Sequence, residues 1–168
     1  MTIRLRARHT QPFMRTIAVI ILLATLILPV GPSIAFPPAG TKDLSTLQTQ
    51  ANQGNAEAQN GLGELYAKGK GMPQDYAQAR AWYEKAAAQG HPHAQNNLAE
   101  LYFAGLGLPQ DFVRAYMWVN LAAGHMQGED KKQAEENRDD VAQRMTPAQV
   151  TEAKRLSEQC RSKKFKDC

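Results

Sequence analysis

Between residues 54 and 125, small and large apolar residues recur on a helical period. In the first stretch Ala58, Leu62 and Leu65 stand four and three residues apart, which puts them on one helix face, and Tyr66 widens that stripe. In the next, Tyr76, Ala79, Tyr83 and Ala86 do the same, with Trp82 at the stripe's edge. Between them stands "GKGMPQDY", residues 69–76, where two glycines, a proline and an acid interrupt the pattern. The reading is helix, corner, helix.

The corner can be derived residue by residue. Gly69 can take positive φ at the end of the first helix without a Cβ penalty. Gly71 keeps the reversal tight, and Pro73 disfavours helix before it while preparing the next. Asp75 then falls at the first turn of the second helix, where a carboxylate accepts free N–H groups and complements the helix dipole. A phosphate-binding loop would follow a strand and carry a further glycine or a Gly-Lys-Ser/Thr. This stretch follows a helical pattern instead, and its Lys70 becomes Leu106 in the second copy, "GLGLPQDF". Gly105, Gly107 and Asp111 repeat the corner there.

The copies extend well beyond the corner. Residues 54–89 overlay residues 90–125 without a gap, a period of 36 residues. Ala58, Gln59, Asn60, Leu62, Glu64, Leu65 and Tyr66 recur as Ala94, Gln95, Asn96, Leu98, Glu100, Leu101 and Tyr102. Asp75, Ala79 and Trp82 recur as Asp111, Ala115 and Trp118. A period of this size marks stacked supersecondary units. The first helix of each unit is entered at Asn55 and at His91, a cap followed by Pro92 where helices tolerate proline best. Trp82 and Trp118 recur at the period, so their first role is packing between helices.

In order, alanine-glutamine, leucine-glycine, leucine-tyrosine, Gly-x-Gly, Gln-Asp-Tyr, Trp-Tyr and Ala-Ala-x-x-Gly make the stretch resemble a Sel1-like repeat, a relative of the tetratricopeptide repeat. The second copy departs from that pattern at Ala99, where glycine is usual, and at "NLAAGHMQG". The resemblance implies an all-α solenoid of antiparallel helix pairs. It implies a protein-binding adaptor with another protein as partner, such as an envelope or signalling protein, and no catalytic step. Cell-wall or β-lactam chemistry, proposed for cysteine-rich relatives, and a structural envelope role are its alternatives. On the first helices Gln59, Asn60, Gln95, Asn96 and Asn97 are the candidate partner contacts.

The flanks continue the stack. Residues 44–54, "LSTLQTQANQG", match the second half of a unit. Residues 129–145 are a charged helical pattern with Ala134, Val141 and Met145 as its apolar side. Thr146-Pro147-Ala148-Gln149 reads as a capping box, after which Val150, Ala153 and Leu156 follow at helical spacing. These capping helices, about 129–145 and 147–160, form a degenerate closing unit whose polar face ends a repeat domain spanning 43–160.

The remaining segments set the compartment. Arg4, Arg6, Arg8 and Arg15 precede the apolar "IAVIILLATLIL" of residues 17–28, then Pro29, Gly31, Pro32 and "SIA". This is a secretory signal, residues 1–35, cleaved after Ala35, with Met1 and Met14 both open as its start. The apolar run is shorter than the roughly 20 residues that span a bilayer. Residues 36–42 read as an extended lead. The formal charge of +4 comes from 20 basic and 16 acidic residues, and four of the basic ones leave with the signal. The mature chain is near neutral, so its charge implies no nucleic-acid partner. Its destination is the periplasm or the medium.

Chemistry adds little beyond that. Cys160 and Cys168 would pair in an oxidising compartment, closing a small loop worth about 2–3 kcal/mol; pairing between chains is the alternative. The tail, residues 161–168, then presents Arg161, Lys163, Lys164 and Lys166 around an apolar tip, Phe165, for weak contact with anionic polymers or lipid headgroups. Ser45, Ser157 and Ser162 lack a nucleophile-elbow context. His91 and His93 have no Cys, Asp or Glu at ligand spacing. No cofactor or metal is implied.

Overall fold

Each repeat folds as a helical hairpin, and the hairpins stack side by side. A computed structural model describes residues 41–166 and 168; the signal and its cleavage point lie outside the described residues. Seven helices and no strand occur among these residues: α1 Thr41–Asn52, α2 Ala56–Lys68, α3 Tyr76–Ala87, α4 Pro92–Ala104, α5 Phe112–Ala123, α6 Gly128–Ala142 and α7 Pro147–Ser162. The chain is an all-α solenoid of antiparallel pairs, α2 with α3 and α4 with α5, with α1 as a half unit before them and α6 and α7 as capping helices after them.

Local chemistry sets the boundaries. Asn55 Oδ1 accepts from the Ala58 N–H at 2.8 Å, and His91 Nδ1 accepts from the Ala94 N–H at 3.2 Å. Asp75 and Asp111 cap the second helices, accepting from the Gln78 and Arg114 N–H groups at 3.0 and 2.9 Å. Gly69 and Gly105 end the first helices in the left-handed conformation, at φ 64° and 69°. Each corner is then closed twice over. The Asp75 N–H reaches Tyr66 O and the Asp111 N–H reaches Tyr102 O, both at 2.9 Å. Gln74 and Gln110 donate to Ala67 O and Phe103 O at 2.8 and 2.7 Å. The glutamine of "PQD" therefore serves the corner, a role the sequence pattern did not assign.

Burial follows the stripes. Leu62, Ala79, Ala86, Ala94 and Leu98 are fully buried, and Trp82 and Trp118 pack into the core at 9% and 6% exposure. Three boundaries differ from expectation. α1 starts at Thr41, inside the stretch read as an extended lead, because the helix carrying Leu44, Leu47 and Ala51 onto α2 runs one turn further upstream. α6 stops at Ala142 and Met145 packs from the following turn, while α7 continues through Ser162.

The closing helices do not repeat the hairpin. α6 and α7 each pack on α5 and barely touch one another. α7 approaches through small side chains, Ala153, Ser157 and Cys160, all buried, with the Ser157 hydroxyl between Ala153 O and Met117 O. Helix α5 thus has neighbours on most sides, and Tyr116, Met117, Trp118, Val119 and Leu121 are all buried. An all-round apolar helix is one surrounded by protein.

One polar device runs through the stack and stops short. Gln59 Nε2 donates to Ala51 O at 3.1 Å, and Gln95 Nε2 donates to Ala87 O at 3.3 Å. Gln89 completes the first of these by donating to Gln59 Oε1 at 2.7 Å. The position one period after Gln89 is His125, whose Nδ1 instead donates to Leu121 O at 3.0 Å. Gln95 Oε1 is left buried with no partner among the described residues. The backbone at both positions follows the same path, Gln89 N–H to Ala86 O and His125 N–H to Ala122 O. His125→Gln should restore the missing donor and raise the unfolding free energy by about 1 kcal/mol. Urea titration of the two proteins measures it, and no gain would mean that the new hydrogen bond does no more than offset the ring contact His125 makes with Phe165.

Candidate functional site

The first helices α2 and α4, continued by α6, form one row. Amide side chains join its members. Asn97 Nδ2 donates to Asn60 Oδ1 at 3.0 Å between α4 and α2, and Asn137 Nδ2 donates to Asn96 Oδ1 at 3.3 Å between α6 and α4. Asn60 also donates to Glu64 Oε1 at 3.1 Å. Two clefts lie between these helices, each floored by a second helix. The first, about 330 Å³, is bounded by α2 and α4 over Tyr83. The second, about 270 Å³, is bounded by α4 and α6 over Val119.

The floors differ for a packing reason. The Tyr83 ring lies over Gly63, where a Cβ would stand 2.5 Å from the ring's Cε1. One period later Val119 replaces the ring and leaves room for the methyl of Ala99, the departure noted in the second copy. The first floor is therefore phenolic and the second aliphatic. Burial pushes the Tyr83 hydroxyl well above the usual phenol range, with the carboxylates of Glu64 and Glu100 adding to the shift.

The sequence-based candidates divide between interior and wall. Gln59 and Gln95 are buried at 5% and 0% and bridge successive helices; Asn60, at 4%, holds Asn97 and Glu64. Asn96 and Asn97 are half-buried and line the clefts. Glu100, Phe103 and Asp140 also line them and were not singled out. Gly71 and Gly107 sit in the corners at φ 80° and 71°, and Lys85 Nζ lies 3.8 Å above the Trp82 ring.

His91 and His93 are spent on neighbours. His91 Nε2 meets Glu57 Oε2 at 2.9 Å, and since Nδ1 accepts the Ala94 N–H, Nε2 is the nitrogen that donates. His93 Nε2 stands 4.0 Å from Asp130 Oδ2. Among the described residues no three His, Cys, Asp or Glu side chains converge on one point.

At the far end Cys160 and Cys168 form a disulfide, with their Cα atoms 5.3 Å apart. Phe165 is not an exposed tip. Lys164 and Phe165 take left-handed φ values of 54° and 64°, which returns the Phe165 N–H to Cys160 O at 2.9 Å. Its ring packs against Gly90 and meets His125 edge-on, centroids 5.4 Å apart. Burying the ring costs less than leaving it in water, so the tail presents only its charges. No helix among the described residues is long and apolar enough to cross a membrane.

Comparison with known proteins fits this geometry. The Sel1 repeat model matches residues 56–91 and 92–125. A protective antigen of uropathogenic Escherichia coli, described as displaying an SLR fold, is 32% identical with a TM-score of 0.67 over 74% of this chain. The chain spans 27% of that antigen's length. A Sel1 repeat protein from Oxalobacter formigenes is 36% identical with a TM-score of 0.51, over 55% of this chain and 70% of its own. No curated protein matches. With two matched repeats, this identity and the stacked hairpins, the chain belongs to the Sel1 repeat family.

Proposed function

We propose that this chain is an exported interaction scaffold that holds a segment of a partner protein on the row of α2, α4 and α6, and that the partner is an envelope signalling or assembly protein. Sel1 repeat proteins generally act as protein-interaction scaffolds. The observation that carries the reading here is the pair of clefts along one row, whose walls and floors differ in chemistry between copies while the helical hairpins that frame them repeat. Asn96 and Asn97 are the contacts on the cleft walls; Asn60 ties α2 to α4, while Gln59 and Gln95 tie those helices to the preceding α1 and α3. Export to the periplasm or medium is supported by the basic and apolar leader at residues 1–35 and by the disulfide, which suits an oxidising compartment.

Photo-crosslinking in the producing cell tests this, with probes at Asn96 and Glu100 and a control at the exposed Lys154 on α7. One discrete protein captured at the first two positions and absent at the control is the expected result. Adducts that do not differ from the control would overturn the reading.

A further inference from the structure

Glu100 stands on the ridge of α4 and lines both clefts. Across the second cleft the wall of α6 carries Asp140. Neither carboxylate has an ion-pair partner among the described residues. Cations elsewhere on the row are already engaged: Lys68 is paired with Glu64 at 2.9 Å, and Arg138 with Asp139 at 3.0 Å. Between the two acids the cleft is lined by apolar side chains, Val119 on its floor and Phe103 and Val141 on its walls. The cleft is thus apolar below and uncompensated negative on both lips.

Resting on the scaffold reading, we infer that the α4–α6 cleft takes a partner segment in which an apolar side chain sits beside lysine or, better, arginine. The volume of about 270 Å³ is slightly below the roughly 300–1,000 Å³ of small-molecule sites and suits one or two side chains of a longer chain. The apolar side chain would cover Val119 and Val141. Its cationic neighbours would reach Glu100 and Asp140, where guanidinium can make paired hydrogen bonds to a carboxylate. An acidic segment would bring like charges together in a partly desolvated cleft, so charge selects the partner even where apolar burial supplies most of the binding.

Glu100 also lines the neighbouring cleft, but there the opposite wall carries Glu64 paired with Lys68 at 2.9 Å. The uncompensated acids are therefore Glu100 and Asp140, and a segment with two cations flanking one apolar side chain matches their placement across the α4–α6 cleft.

The test uses two acetylated, amidated hexapeptides, one alternating leucine with arginine and one alternating leucine with glutamate. Binding to the full mature chain is followed by the Val119 and Val141 methyl signals and the Asn137 side-chain amide. The arginine peptide should shift these signals and bind at least about tenfold more tightly than the glutamate peptide. Joint Glu100→Gln and Asp140→Asn replacement should remove most of that preference while leaving the helical spectrum unchanged. Equal binding of the two peptides, or shifts confined to other faces, would overturn the inference. Its failure is distinct from that of the scaffold reading: a captured partner whose crosslinked segment is acidic ends this inference alone.

Discussion

Gly107→Ala should lower the unfolding free energy by about 3–4 kcal/mol, whereas Gly71→Ala, the same corner position one period earlier, should cost only about 1 kcal/mol. Both glycines have positive φ, so both substitutions incur left-handed strain. What separates them is the neighbour. A Cβ at Gly107 would stand 2.8 Å from the backbone carbon and Cβ of Tyr76 and 2.9 Å from the Ala77 nitrogen, at the start of α3. At Gly71 it would meet nothing among the described residues. The second corner rests on the start of α3, the second helix of the preceding unit, and main chain at a capped helix start cannot yield as a flexible side chain would. Parallel urea unfolding of the two variants measures the difference. Equal losses would show that the corner of the second hairpin does not bear on α3.

That contrast also marks what the sequence could and could not reveal. Corners and caps were legible because their chemistry is local: Asp75, His91, Gly69 and the Thr146–Gln149 box each act within four residues of themselves. The burial of Gln59 and Gln95 was legible in principle. Each lies three residues before a core leucine, Leu62 or Leu98, and so falls on the buried stripe, but a polar residue in a family with variable surfaces invites the opposite reading. The meeting of α6 and α7 on α5 was not read from spacing, since a periodic pattern says which face is buried and not which helix covers it. Its trace was compositional, in the nearly unbroken apolar character of "FVRAYMWVNLAA". The clefts were least legible. Glu100 stood out only as a match to Glu64, and its pairing with Asp140 depends on how the charged α6 docks.

The second large effect is expected at Gly63, where alanine should cost about 3 kcal/mol although the residue is in a helix, a place that favours alanine. The added methyl would lie 2.5 and 2.6 Å from Tyr83 Cε1 and Cδ1. The ring cannot retreat, because Tyr83 is itself buried at 3% exposure. The second repeat shows the alternative solution in place, Ala99 with Val119. Transplanting it gives a sharp test: Tyr83→Val alone should lose about 2–3 kcal/mol to the cavity, but adding Gly63→Ala should cost nothing more and can regain helix propensity. The double-mutant cycle then has a coupling of about 3 kcal/mol, and simple additivity would refute the packing account. The same exchange would turn the phenolic floor of the first cleft aliphatic, so one pair of positions sets both how closely α2 and α3 pack and what the cleft above them can bind.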